Sequence, residues 1–267
     1  MANTAHLWAY TLASVLLVSL VSLVGLFALS QDPSRLRRIQ LYLVSLAAGS
    51  LLGGAVLHLL PQAVDRLGTG MPFSLYLLTG FFGFFLLEKF LWFHHHGTAH
   101  AEEGADVGVG ADEGTRAAQP VVTVILVGDG VHNFLDGMVI AAAYLVDPGV
   151  GLVTTLAVVL HEVPQEIGDF GVLVHAGLSV QRAVFLNFLS ATTSILGAVL
   201  TLWIGSRAEG LQGPLITITA ASFIYIAAAD LIPELHRTRE PRQSIMQVLM
   251  IGVGLGLMIA ARALGVP

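Results

Sequence analysis

Residues 7–29 carry no charged side chain. A helix needs about 20 apolar residues to cross a bilayer core, and this run is the first of several that reach such a length. Further apolar stretches occupy about residues 39–64, 73–93, 120–145, 151–177, 182–204, 214–235 and 244–261. Hydrocarbon offers no partner for backbone N–H and C=O groups, so segments of this kind cross it as helices. The expected fold is an all-α integral membrane protein, one domain over residues 1–267 with eight transmembrane helices. Composition agrees: 55% of residues are apolar and 11% charged, against roughly 25% charged in a soluble domain.

The ends and turns carry the topology. No Lys or Arg precedes the first apolar run, as a secretory signal would require, so it reads as a retained span. With the N-terminus outside, the inner loops hold Arg35, Arg37, Arg38, Lys89, Arg116, Arg182, Arg237, Arg239 and Arg242, and the outer ones only Arg66, Arg207 and Arg262. The excess of positive charge inside favours both termini outside the cytoplasm, and with no targeting peptide or long soluble domain read in the sequence the expected site is a plasma (inner) membrane. Residues 94–119 break the apolar pattern. His94, His95, His96 and His100 precede Gly- and acid-rich sequence there, which reads as a flexible cytoplasmic loop. It is either a metal-gathering segment or a solvated linker. The chain has no cysteine, which excludes disulfides, thiolate zinc sites and iron–sulfur clusters. Its net charge of −6 gives nucleic acid no basic face to bind.

That charge is concentrated. Between Arg116 and Arg182 there is no Lys or Arg, yet Asp129, Asp136, Asp147, Glu162, Glu166 and Asp169 lie there. Most of these acids sit within apolar segments, accompanied by His132 and His161. An ionisable group near the bilayer centre costs on the order of 2.5–3.5 kcal/mol on insertion scales. A set this large without a basic partner in sequence asks for an external cation. Residues three and four apart share a helix face, so Asp129, His132 and Asp136 form a stripe with Asn133 beside it. On the next span His161 and Gln165 form one stripe, and Glu162, Glu166 and Asp169 another. Pro164 lies inside this second segment and is expected to kink it. Imidazole with carboxylate suits zinc, iron and manganese.

Other polar residues in the spans invite two readings each. His58, ahead of Pro61, and Asp230 and Glu234, around Pro233, are candidates for lining an ion pathway or for satisfied packing. Asn187 is either a pathway ligand or, with Ser190, hydrogen-bonding glue between helices. Asp147 and His175 lie near span ends, where water is in reach.

The paired stretches His132-Asn133-Phe134-Leu135-Asp136-Gly137 and His161-Glu162-Val163-Pro164-Gln165-Glu166-Ile167-Gly168-Asp169-Phe170 resemble the signature of the ZIP (Zrt/Irt-like protein) metal transporters. The resemblance covers the full chain, with His58-Leu59-Leu60-Pro61 closing the second span. It is nearest the branch bearing His-Glu-x-Pro-His-Glu in the fifth span, with Gln165 here in place of the second His. It implies a ZIP-type helix bundle that moves divalent metal into the cytoplasm by alternating access, often as a homodimer in the lipid bilayer. Zinc is the implied substrate, with Fe2+, Mn2+ and Cd2+ as alternatives and no cofactor. The resemblance further implies a binuclear site between spans four and five. His132, Asp136, His161 and Gln165 would form one half, Asn133 and Glu162 the second, and Glu166 and Asp169 an exit.

Two other functions could use such residues. An intramembrane zinc metalloprotease needs His-Glu-x-x-His, two imidazoles four apart with Glu activating water. This chain has Gln165 at the second position and proline inside the motif, so it is not expected to be an enzyme. A metal-binding sensor without flux is the other alternative.

Overall fold

The computed structural model describes residues 2–28, 32–99, 114–205, 210–237 and 240–265. Among these residues there are eight helical rods and no strand. We label them α1 (Thr4–Phe27), α2 (Arg35–Leu67), α3 (Met71–Ala99), α4 (Gly114–Val146), α5 (Pro148–His175), α6 (Val180–Gly205), α7 (Gln212–His236) and α8 (Pro241–Ala263). Seven have the length and hydropathy to cross a membrane, whereas α3 contributes a shorter apolar stretch, Met71–Leu87. The protein is thus an all-helical integral membrane protein, as expected. Helix α3 runs through residues 94–99 and α4 begins at Gly114, both inside the 94–119 stretch read from composition as loop.

Local chemistry sets the breaks. Asp147 adopts an extended backbone, and its Oδ1 accepts hydrogen bonds from the N–H groups of Gly149 (2.7 Å) and Val150 (3.4 Å), with Pro148 opening the helix. This is an N-cap followed by the one residue type with no N–H to satisfy. At the other end of α5, Gly177 turns the chain at φ 91°, a conformation that costs glycine little. Two rods widen into π-helical turns, Gly54–Leu59 in α2 and Ile226–Leu231 in α7, each just before a proline, Pro61 and Pro233. Proline cannot donate to the carbonyl four residues back. For Pro61 that carbonyl is Leu57's, and the Arg262 guanidinium of α8 donates to it instead.

Packing rests on close backbone approach. A Cβ on Gly137 of α4 would lie 1.8 Å from the Ser194 carbonyl oxygen of α6, and one on Gly197 of α6 would lie 1.9 Å from that of Phe134 on α4. The same reciprocity joins α2 to α8, where Gly49 faces the Ile251 carbonyl and Gly254 that of Leu46. Helices α1, α4, α5 and α6 pack together, α2 rests on α5 and α8, and α3 rests on α7. One apolar core, including Val15, Leu51, Ile140, Ala157, Ala198 and Phe223, runs through the middle. A smaller one around Ile167, Phe170 and Leu173 lies toward the far end of α5. Apolar side chains such as Leu152, Phe185, Leu196 and Val248 cover the outside, as hydrocarbon contact requires.

The glycine contacts make a prediction. Gly197→Ala should destabilise the fold by about 1–3 kcal/mol, the usual cost of overpacking. Gly252→Ala, which meets nothing within 4 Å, should be neutral. Thermal unfolding in detergent compares the two.

Candidate metal centre

Helices α4 and α5 bring the site together. In α4, His132 and Asp136 stand one turn apart; in α5, His161 and Glu162 are neighbours that both reach toward α4. Their donor atoms all lie within 4.8 Å of one another. His161 Nε2 lies 3.1 Å from Asp136 Oδ2 and 3.4 Å from Glu162 Oε1. His132 Nε2 lies 3.3 Å from Glu162 Oε1, 3.8 Å from Asp136 Oδ2 and 3.4 Å from His161 Nε2. A zinc ion with bonds of about 2.0–2.2 Å to nitrogen and oxygen defines a tetrahedron with edges of about 3.3–3.6 Å. The observed spacings bracket that figure.

The surroundings favour ligation over simple pairing. The His132 side chain keeps 22% of its exposure and the other three no more than 3%. No Lys or Arg lies in either rod between Arg116 and the end of α5. Glu162 Oε2 finds no hydrogen-bond donor among the described residues. His161 Nδ1 donates to the Ala157 carbonyl at 3.2 Å. That bond fixes the ring and turns the Nε2 lone pair toward the cluster, the outer support common to metal-binding imidazoles.

A second buried group continues from the first along α4, α5 and α6. Asn133 Nδ2 donates to Asp129 Oδ1 at 2.8 Å. The Ser190 hydroxyl of α6 donates to Asp129 Oδ2, and Asn187 Nδ2 to Glu166 Oε2. Asn133 Oδ1, Glu166 Oε1 and Asn187 Oδ1 are left without a donor among the described residues. Open oxygen atoms, buried and with no donor, are hard-ligand chemistry suited to a passing divalent cation.

The candidate residues from sequence fall into several places. Asp129 pairs with Asn133, one turn on, while His132 and Asp136 face the other cluster. Gln165 and Asp169 are half-buried on α5 beyond the four converging residues. His58 is fully buried in the π turn of α2, and its Nε2 donates to the Met258 carbonyl of α8 at 2.9 Å. Asp230 is exposed in the π turn of α7. Glu234 pairs with Arg237 at 2.9 Å near the surface, an arrangement of small energetic weight. His94, His95 and His96 lie on the end of α3 with side chains outside the described residues, and His100 is outside them altogether. Sequence reading gave no role to Gln40 of α2, whose Nε2 donates to the Pro164 carbonyl of α5 at 3.3 Å. A glutamine within an apolar span was the available signal.

A helical bundle carrying such a buried acid–imidazole cluster belongs to the class of membrane proteins that handle metal ions. A profile of the ZIP Zinc transporter family matches residues 5–121 and 108–262, and the chain belongs to that family. It is 30% identical over 342 residues to zinc transporter SLC39A7 of Rattus norvegicus, covering 96% of this chain and 72% of that one. With the Homo sapiens protein of the same name it shares 31% over 334 residues, covering 96% and 71%. With zinc transporter ZIP4 of Mus musculus it shares 30% over 307 residues, covering 93% and 46%. The family assignment supports metal-ion transport by a protein embedded in the membrane.

Removing one of the four converging donors should weaken zinc binding by more than the about 10–100-fold that losing a supporting partner typically costs. His161→Ala is the direct variant, and Glu234→Gln, at the exposed pair, should bind as the parent does. Competition against a chromophoric chelator in detergent measures both.

Proposed function

We propose that the protein carries zinc across the membrane into the cytoplasm through a binuclear site between α4 and α5. The observation that supports this most directly is the convergence of His132, Asp136, His161 and Glu162 inside spans that hold no compensating Lys or Arg. Glu162 offers Oε1 to that group and keeps Oε2 open, so it can bridge to a second position built from Asn133, Glu166 and Asn187, with Gln165 between the two and Asp169 toward the exit. Carboxylate and amide oxygens hold the ion less firmly than a thiolate cage, which suits transit. The relatives' printed names, all zinc transporters, favour zinc over Fe2+, Mn2+ or Cd2+.

The charge pattern of the loops and the family resemblance support the following topology and assembly. All eight rods cross the membrane, with α3 extending through its shorter apolar stretch, and both termini lie outside a plasma (inner) membrane. The protein works as a single domain per chain in a homodimer. His94, His95, His96 and His100 then lie on the cytoplasmic side, where they collect arriving metal. His58, Asp230 and Glu234 border the route.

Proteoliposomes holding the purified protein and a zinc-sensitive dye inside test the proposal. Zinc uptake is expected with the parent protein and is expected to fall to the empty-vesicle rate with His161→Ala. Tight zinc binding by a folded parent that moves no zinc would replace the transporter reading with a sensor.

A further inference from the structure

The contact between α2 and α5 contains a polar tie placed at the step between the two halves of the α5 motif. Pro164 separates His161 and Glu162 from Gln165, Glu166 and Asp169. Gln40, half-buried about one and a half turns into α2, donates from Nε2 to the Pro164 carbonyl at 3.3 Å. The amide has room there because residue 168 is glycine: a Cβ at Gly168 would come to 3.2 Å from Gln40 Nε2. Pro164 lies inside a continuous helix, where its carbonyl also faces the Gly168 N–H, so releasing the bond leaves the half-buried Gln40 amide to find another partner. The elements it joins are also differently held. Helix α2 is fixed to α8 by reciprocal glycine contacts and by the His58 and Arg262 bonds to backbone carbonyls. Helix α5 belongs with α1, α4 and α6, the group that carries the metal ligands.

We propose that Gln40 is a positioning residue, a latch that ties the inner half of α5 to α2 in this conformation and is released when the carrier moves. The inference rests on the transport reading for its role in turnover. Gln40 touches none of the converging metal donors, so its loss leaves metal affinity intact and alters motion. One net hydrogen bond of typical strength corresponds to about a two- to tenfold effect.

The test is a double-mutant cycle with Gln40→Leu, which removes the donor, and Gly168→Ala, which crowds it off the carbonyl. Hydrogen exchange across residues 164–175 at saturating zinc, the zinc Kd in detergent, and kcat for uptake in proteoliposomes are read for each. Each single variant should exchange about two- to tenfold faster there and shift kcat by a similar factor, with Kd within twofold of the parent. The double variant should go no further than either single, because both remove one interaction. Unchanged exchange or kcat in Gln40→Leu, a Kd moved more than twofold, or effects that add in the double variant, overturns the latch. If the parent moves no zinc, the transport reading fails alone, and the exchange cycle still decides whether Gln40 ties α5 to α2.

Discussion

Uncompensated charge in a medium that cannot solvate it governs this structure. A carboxylate moved into a low-dielectric interior loses solvation worth several kcal/mol, recovered only through good partners. Asp129, Asp136, Glu162 and Glu166 are all buried, and no Lys or Arg in α4 beyond Arg116, or in α5, is there to pair with them. Partial relief comes from hydroxyl, amide and imidazole groups: Ser190 and Asn133 on Asp129, Asn187 on Glu166, and the two histidines on Asp136 and Glu162. The neutral hydroxyl and amide groups lower the cost of the acids without cancelling their charge. A divalent cation can cancel it, and buried oxygens without a donor among the described residues remain beside the acids.

The bundle is arranged to keep most of that cluster buried and in register. Gly137 and Gly197 let α4 and α6 touch backbone to backbone, which sets Asn187 and Ser190 against the α4 and α5 acids. Prolines serve the opposite purpose. Pro61 and Pro233 follow π turns in α2 and α7, and Pro164 divides the α5 motif. Each leaves a carbonyl without its helical donor, and at Pro61 the side chain of another rod supplies one. Glycine thus holds the close helix pairs, and Pro61 and Pro233 mark where the backbone ladders of α2 and α7 widen.

Much of this was legible in the sequence because the membrane imposes simple rules. Long apolar runs gave the rods, since any other backbone would be unsatisfied in lipid, and the four-residue helix spacing gave His132 with Asp136. The short apolar part of α3 is less distinct, because its composition turns polar near Glu88 and Lys89. Finer features depend on what lies opposite each helix. Asp129 sits three residues from His132 yet turns to Ser190, a choice set by α6. Family likeness puts Glu162 and His161 in different halves of the site, and in the fold donor atoms of both lie within 4.8 Å of those of His132 and Asp136. His58, a pathway candidate by its motif, is also bonded through Nε2 to the Met258 carbonyl, a partner two hundred residues away in sequence that its motif does not announce. The π turns leave almost no mark on hydropathy, and only the prolines hinted at them.

The central claim is that the buried acids and imidazoles of α4 and α5 form one metal-binding centre. X-ray absorption at the zinc edge, on protein loaded with about one equivalent, tests it most directly. The account predicts imidazole nitrogen from two histidines together with carboxylate oxygen at about 2.0–2.2 Å, with the imidazole signal halved in His132→Ala. A shell of oxygen alone, or a spectrum unchanged by that substitution, would contradict it.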